Sequence, residues 1–304
     1  MATILRETRL DEPIECARCC TMPRMGAEGA SGAAGRIGWR IWLTVAALAV
    51  LAPLNFVGIA ILADSQQVGV APDYQQYVDA FDRFVAGQPL HGPDWQWRYS
   101  PVALLTLGPA IAAGLGAWSV LHLVALLAIR PWRLAVLVGL SWPFWVDVVS
   151  GNTVTFVAVA AIAAMAGSRI GAYTYWWLTL IIPRPVQVPL LVFLAWRRPE
   201  LRRAFLLLTG LNVVLLLLVG QGPEWIDYLL QRGAENTGAV FNLHPAADLG
   251  AWWLVIGAPA SILLTVRGWP GLAGVVLSPS LLAQYLLMAF VPPTRFSRRT
   301  ALAR

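Results

Sequence analysis

Between two apolar runs near the start of the chain lies a stretch that reads Asp73-Tyr-Gln-Gln-Tyr77, then Gly87-Gln-Pro-Leu90, then Trp97-Arg98-Tyr99-Ser-Pro101. These side chains differ in what they can do. A carboxylate can take up a proton, a guanidinium can hold an anion in its planar fork, and aromatic rings can stack. Most of the remaining sequence is Leu, Val and Ala. In such a chain the place where polar residues gather is where chemistry belongs.

The elements that must position them are apolar. Of the 304 residues, 58% are hydrophobic and 12% charged, which leaves a soluble domain too little polar surface to meet water. The composition predicts an all-α polytopic integral membrane protein with one continuous membrane domain, so a lipid bilayer is an expected partner and nucleic acid is not. Residues 1–37 are predicted to be a disordered cytoplasmic tail without a signal-peptide core. Cys16, Cys19 and Cys20, the chain's three cysteines, all lie there. No disulfide framework is therefore available to the outer loops, and Cys-x-x-Cys-Cys lacks a second pair of metal ligands. Residues 38–294 read as the membrane domain and 295–304 as a basic cytoplasmic tail.

Apolar runs cover 41–62, 101–115, 117–129, 134–149, 153–167, 170–182, 185–196, 204–220, 250–266 and 269–291, the last broken at Ser278-Pro279-Ser280. Several are shorter than the ~20 residues that cross hydrocarbon, so some pieces are expected to be tilted or broken. All 22 basic residues are arginines, and they set the orientation. The loop from 63 to 100 holds five Asp against two Arg and is placed outside. If 101–115 lies at the outer surface, Arg130, Arg133, Arg169, the Arg197 to Arg203 cluster, Arg267 and both termini fall inside. About ten spans result. The outer loop, 63–116, then carries interfacial helices, and 221–249 forms a second outer loop.

Tyr74, Tyr77, Val78, Phe81, Phe84 and Val85 fall on one helical face, with Asp79, Asp82 and Arg83 opposite. This predicts an amphipathic helix in the outer leaflet, ended by Gly87. Pro101 suits the first position of the next helix. Asp73 has two compatible roles: N-cap of the amphipathic helix, with Gln76 at the capping-box position, or a rigidly held functional carboxylate. Asp147, near Gly151-Asn152, is either a span-end carboxylate wetted by the interface or a functional group. Arg98 either snorkels beside Trp95 and Trp97 or binds a ligand. Arg184 sits between two prolines in an apolar hairpin, where a charge is costly without a partner. His244 in the second loop is a loop-surface histidine or a ligand contact. His122 reads as hydrogen-bonded within the bundle. The sequence has neither Asp-x-Asp nor a histidine pair, so metal-independent chemistry without a cofactor is expected.

Asp73-x-x-x-Tyr77, Gly87-x-Pro-Leu and Tyr99-x-Pro101 together resemble the first outer loop of the GT-C polyprenyl-phosphate-dependent glycosyltransferases, specifically glycosyltransferase family 87. Gly151-Asn152, Pro183-Arg184-Pro185, Arg197-Arg198 and Ser278-Pro279 are similar to later elements of that group, in the same order, over roughly 41–291. The resemblance implies a GT-C-like bundle and a polyprenyl-phosphate sugar donor, mannose or arabinofuranose. It implies a glycolipid or glycan hydroxyl as acceptor on the extracytoplasmic face of the plasma membrane. Asp73 would be the general base of an inverting displacement. Arg184, with Arg98 second, would hold the donor phosphate. Tyr77, Tyr99, Asp147, Asn152 and His244 would be substrate contacts. Two other readings stand beside it: a transporter or flippase, for which no internal repeat is visible, and a non-catalytic relative that binds the lipid carrier.

Overall fold

The computed structural model describes residues 54, 57–58, 71–91, 97–232, 242–243, 245–279 and 281–293. The expected N-terminal tail with its cysteines, most of the 41–62 span, Trp95, His244 and the basic C-terminal tail lie outside the described residues.

The described chain is helical. In order, α1 is Pro72–Val85, α2 Pro101–Ala112, α3 Leu115–Ala128, α4 Trp132–Leu140, α5 Trp142–Ser150, α6 Val154–Met165 and α7 Arg169–Ile181. Then follow α8 Val188–Arg197, α9 Arg202–Val219, α10 Gly222–Arg232, α11 Pro245–Leu249, α12 Ala251–Val266 and α13 Pro270–Leu277. Single 3-10 turns, Pro185–Gln187 and Pro199–Leu201, lead into α8 and α9, and a longer 3-10 helix spans Ala283–Phe290. Among the described residues the only sheet is a two-residue antiparallel pair, Asn242–Leu243 with Leu281–Leu282, which ties the segment after α10 to the one after α13.

The apolar runs and the helices largely coincide, but their lengths do not make ten full spans. Among the described residues one helix, Pro199–Val219, is long and apolar enough to cross a membrane. Up to three spans result if each of two bent pairs counts as one. The expected run 134–149 is broken: α4 and α5 meet at 69°. Ser141 is extended there, and Pro143, without an N–H to give the preceding turn, stands in the first turn of α5. A 105° bend separates α2 from α3.

α1 follows its sequence pattern. Tyr74, Tyr77 and Ala80 are buried, Phe81 and Phe84 pack beside them, and Asp79 and Asp82 are exposed. What covers the apolar face is protein, because α1 packs on α2 and α5. That corrects the expectation of a helix whose apolar side rests in lipid. Only Val85, 70% exposed, lies off the buried face.

Elsewhere apolar side chains face outward in quantity. On α9 only Phe205 and Asn212 are buried, while Leu206, Leu207, Leu217 and Leu218 are each more than 70% exposed. Val124 and Leu127 of α3, and Val255, Ile256 and Ile262 of α12, are exposed too. Exposed apolar side chains in this number mark contact with something other than water.

Candidate functional site

The site begins with α1. Its N-cap is Ala71, in a left-handed conformation at φ 53°, and Pro72 takes the first helical position. Asp73 is therefore the second residue of the helix and caps nothing through its side chain, which corrects the N-cap and capping-box reading. Its carboxylate is half-buried in the first turn, where the helix dipole favours negative charge. One turn on, Tyr77 is buried on the same side.

The turn between α5 and α6 meets α1 at this point. Gly151 has φ 71°, and a Cβ there would stand 2.5 Å from the Cβ of Tyr74. Only glycine satisfies both the backbone conformation and the close approach. Asn152 follows and reaches Asp73, its Nδ2 donating to Asp73 Oδ2 at 2.7 Å.

The third contributor is the Pro183-Arg184-Pro185 loop. Arg184 N–H donates to Gln187 Oε1, and Gln187 N–H returns to Arg184 O, both at 3.0 Å. Tyr175 donates its hydroxyl to Gln187 O at 2.8 Å. Gly274 of α13 lies directly under the Val186 carbonyl, which leaves no room for a side chain. Held from three sides, Arg184 is only 5% exposed. Its Nη2 shares two N–H groups among three acceptors, Asn152 Oδ1 at 2.6 Å, Tyr99 Oη at 2.7 Å and Thr153 Oγ1 at 3.0 Å. Tyr99 and Tyr285 present ring faces with centroids 5.3 and 5.8 Å from the guanidinium carbon. Tyr99 is brought there by a backbone bond, Ser100 N–H to Ile181 O at 3.0 Å. Ser100 also caps α2 by accepting from Val102 N–H at 3.2 Å.

Asp73, Asn152 and Arg184 thus form a row in which the amide stands between the two charges. Asn152 Oδ1 faces donors from Arg184, Tyr77 (3.4 Å) and Thr153 N–H (2.6 Å), which fixes the amide orientation. A direct ion pair would hold the carboxylate down and occupy the guanidinium. The spacer leaves both partly unspent. Burial raises the Asp73 carboxyl above its ordinary value; the bond from Asn152 and then the charge of Arg184 pull it back only in part. Arg184 Nη1 is buried and has no hydrogen-bond partner among the described residues. A buried guanidinium with a free donor has the chemistry to hold an anion.

Five residues singled out from the sequence, Asp73, Tyr77, Tyr99, Asn152 and Arg184, are therefore brought together. Arg98 is exposed. Asp147 is neither wetted by the interface nor open to a substrate. It is fully buried, accepts from Val154 N–H at 3.3 Å and Thr155 N–H at 2.7 Å, and so caps α6. Thr153 and Tyr285 were missed. Thr153 had a signal, since it follows Gly151-Asn152 directly; Tyr285, in a late apolar run, had none. Among the described residues no group of three or more His, Cys, Asp or Glu is placed to hold a metal ion.

Beside this row a cavity of about 460 Å³ opens between α2, α3, α6 and α7. Leu107, Trp118, Phe156, Val159 and Leu178 line it, with Thr153, whose hydroxyl meets Arg184, among the few polar groups. Its size suits an organic ligand.

No protein-family model, no curated protein and no solved structure matches this chain.

Proposed function

We propose that this chain is a membrane glycosyltransferase of the GT-C, polyprenyl-phosphate-dependent kind, moving a hexose, with mannose as the leading donor sugar, to a glycolipid or glycan hydroxyl. The observation that carries the reading is the row Asp73–Asn152–Arg184, a half-buried carboxylate and a buried guanidinium kept apart by one amide. Attack by a hydroxyl needs a positioned proton acceptor, and departure of a phosphate needs positive charge where negative charge grows. The row supplies both.

In the step itself, Asp73 takes the proton of the acceptor hydroxyl. The acceptor oxygen bonds to the anomeric carbon from the face opposite the phosphate. The bond from that carbon to the phosphate oxygen breaks, and the polyprenyl phosphate leaves with both electrons. The anomeric configuration inverts. Arg184 meets the leaving phosphate through Nη1, while Tyr99 and Tyr285 shield its charge from water and steady the guanidinium plane.

The cavity supports a lipid donor, because it is apolar along its length and touches Thr153 beside the arginine. The outward-facing leucines and valines of α3, α9 and α12 support a bilayer around the protein. The finer architecture belongs to the same proposal. It is a multi-pass GT-C-like bundle of about ten membrane segments in the plasma membrane, in which short and bent helices serve as partial spans, with the site on the extracytoplasmic face. Arg98 ranks below Arg184 as a phosphate contact because it is exposed. Transport is less well supported. The sequence shows no internal repeat of the kind on which many transporters are built.

The test is transfer from radiolabelled polyprenyl-phosphate mannose to a short mannoside in membranes carrying the chain, with the product anomer read by NMR. Transfer with inversion is expected. Retention of configuration would remove the single-displacement step. An absence of transfer from both mannosyl and arabinofuranosyl donors would favour the non-catalytic lipid-carrier-binding reading.

A further inference from the structure

Below the row lies a polar pair that the proposed chemistry does not use. His122 of α3 and Asp147 of α5 are both 0% exposed. Each ring nitrogen of His122 meets a backbone carbonyl: Nδ1 lies 2.9 Å from Trp118 O and Nε2 2.8 Å from Asn152 O. A carbonyl can only accept, so two such bonds require hydrogen on both ring nitrogens. Nε2 is also 3.5 Å from Asp147 Oδ2, which supplies the counter-charge that a buried cation needs.

This pair grips the turn that carries Asn152 from both sides. His122 holds the Asn152 carbonyl. Asp147 holds the first two N–H groups of α6, and its own carbonyl accepts from Asn152 N–H at 2.9 Å. Trp118 Nε1 donates to Gly151 O at 2.9 Å. With the backbone of the turn engaged in this way, the side chain of Asn152 is left to set the spacing between Asp73 and Arg184.

We infer that His122 is held as an imidazolium paired with the Asp147 carboxylate, and that this pair is the positioning element that keeps Asn152 between Asp73 and Arg184. The inference deepens the proposed function and rests on it for the role of Arg184. The charge state of His122 does not depend on it. Without the pair the turn relaxes, the amide leaves its place, and Asp73 closes on Arg184 as a direct ion pair that shuts out an anionic ligand.

The test has two arms. The first is nitrogen NMR of the full chain in nanodiscs at neutral pH, labelled at histidine. His91, His122 and His244 are the only histidines, and His122→Gln identifies the signal. Both ring nitrogens of His122 are expected at imidazolium shifts, and one unprotonated nitrogen would overturn the pair. The second arm measures binding of geranyl phosphate. Asp147→Asn is expected to weaken it tenfold or more, and the double variant Asp73→Ala/Asp147→Asn to recover most of the loss, because no carboxylate remains to close on Arg184. Unchanged binding in Asp147→Asn would overturn the positioning role. So would a loss that Asp73→Ala does not repair, which is what simple damage to the fold gives. If the wild type itself fails to bind geranyl phosphate, the phosphate reading of Arg184 falls, and the histidine spectrum still decides the pair.

Discussion

Asp73 and Asp147 are two carboxylates in apolar surroundings, each close to the Gly151–Thr153 turn, and the structure uses them in opposite ways. Asp147 is fully buried and its oxygens are committed, to two backbone N–H groups of α6 and to His122. Asp73 is half-buried, accepts from the Asn152 amide on Oδ2 with the Ser150 hydroxyl as a second donor beside it, and is kept from the nearby guanidinium by Asn152. A carboxylate with its valence filled holds structure. One kept basic and partly open can move a proton.

The comparison can be broken at several points. The largest expected effect is on Asp147. Asp147→Asn removes one partner of a buried pair, and such a loss costs about 3–5 kcal/mol of stability. Thermal unfolding in detergent should show a clear fall in Tm, and an unchanged Tm would make Asp147 no more structural than Asp73. Next is Arg184→Lys, which keeps the charge but loses the fork. Losing a hydrogen bond to a charged group costs about 1.5–3 kcal/mol, a rise of roughly ten- to a hundredfold in donor KM. A rise in acceptor KM instead would move Arg184 to the other substrate.

The pH dependence sharpens the contrast. Asp73 must be ionised to act as a base, and burial raises its value. Transfer should therefore be full at high pH and be lost as pH falls through a value above the ~3.9 of a free aspartate. An acid limb at or below that figure would contradict the assignment. The smallest effect belongs to Arg98→Ala. An exposed side chain outside the row should change transfer by less than about 0.5 kcal/mol, roughly twofold.

Much of this was legible in the sequence, for physical reasons that vary by element. The helical periodicity of 74–85 predicted both α1 and its buried face, because apolar spacing reports a covered side. It could not say whether lipid or protein does the covering. Pro101 and Gly87 marked helix ends because each restricts or frees φ, whereas Pro72 was passed over in favour of Asp73 as the cap. The break at Ser141 was obscured by an apolar run that continues through it, although Pro143 stood in view. Arg184 stood out because an arginine between prolines in an apolar hairpin needs a partner. Those partners, Thr153 and Tyr285, are joined to it only by folding. Asp147 looked like Asp73 in sequence, and what tells them apart, the two N–H groups and His122, is long-range geometry.

The proposed mechanism gives the chemistry to Asp73 and the structural role to Asp147. Its most direct test is transfer by Asp73→Asn and Asp147→Asn in parallel, each rate divided by the amount of folded protein. Asp73→Asn is expected to fold normally and to lose transfer by about 10²–10⁴-fold, the range for a general base. Asp147→Asn should be less stable, and its folded fraction should lose transfer through weaker donor binding, so that raising the donor concentration restores part of the rate. Asp73→Asn transferring at the wild-type rate would remove Asp73 from the chemistry.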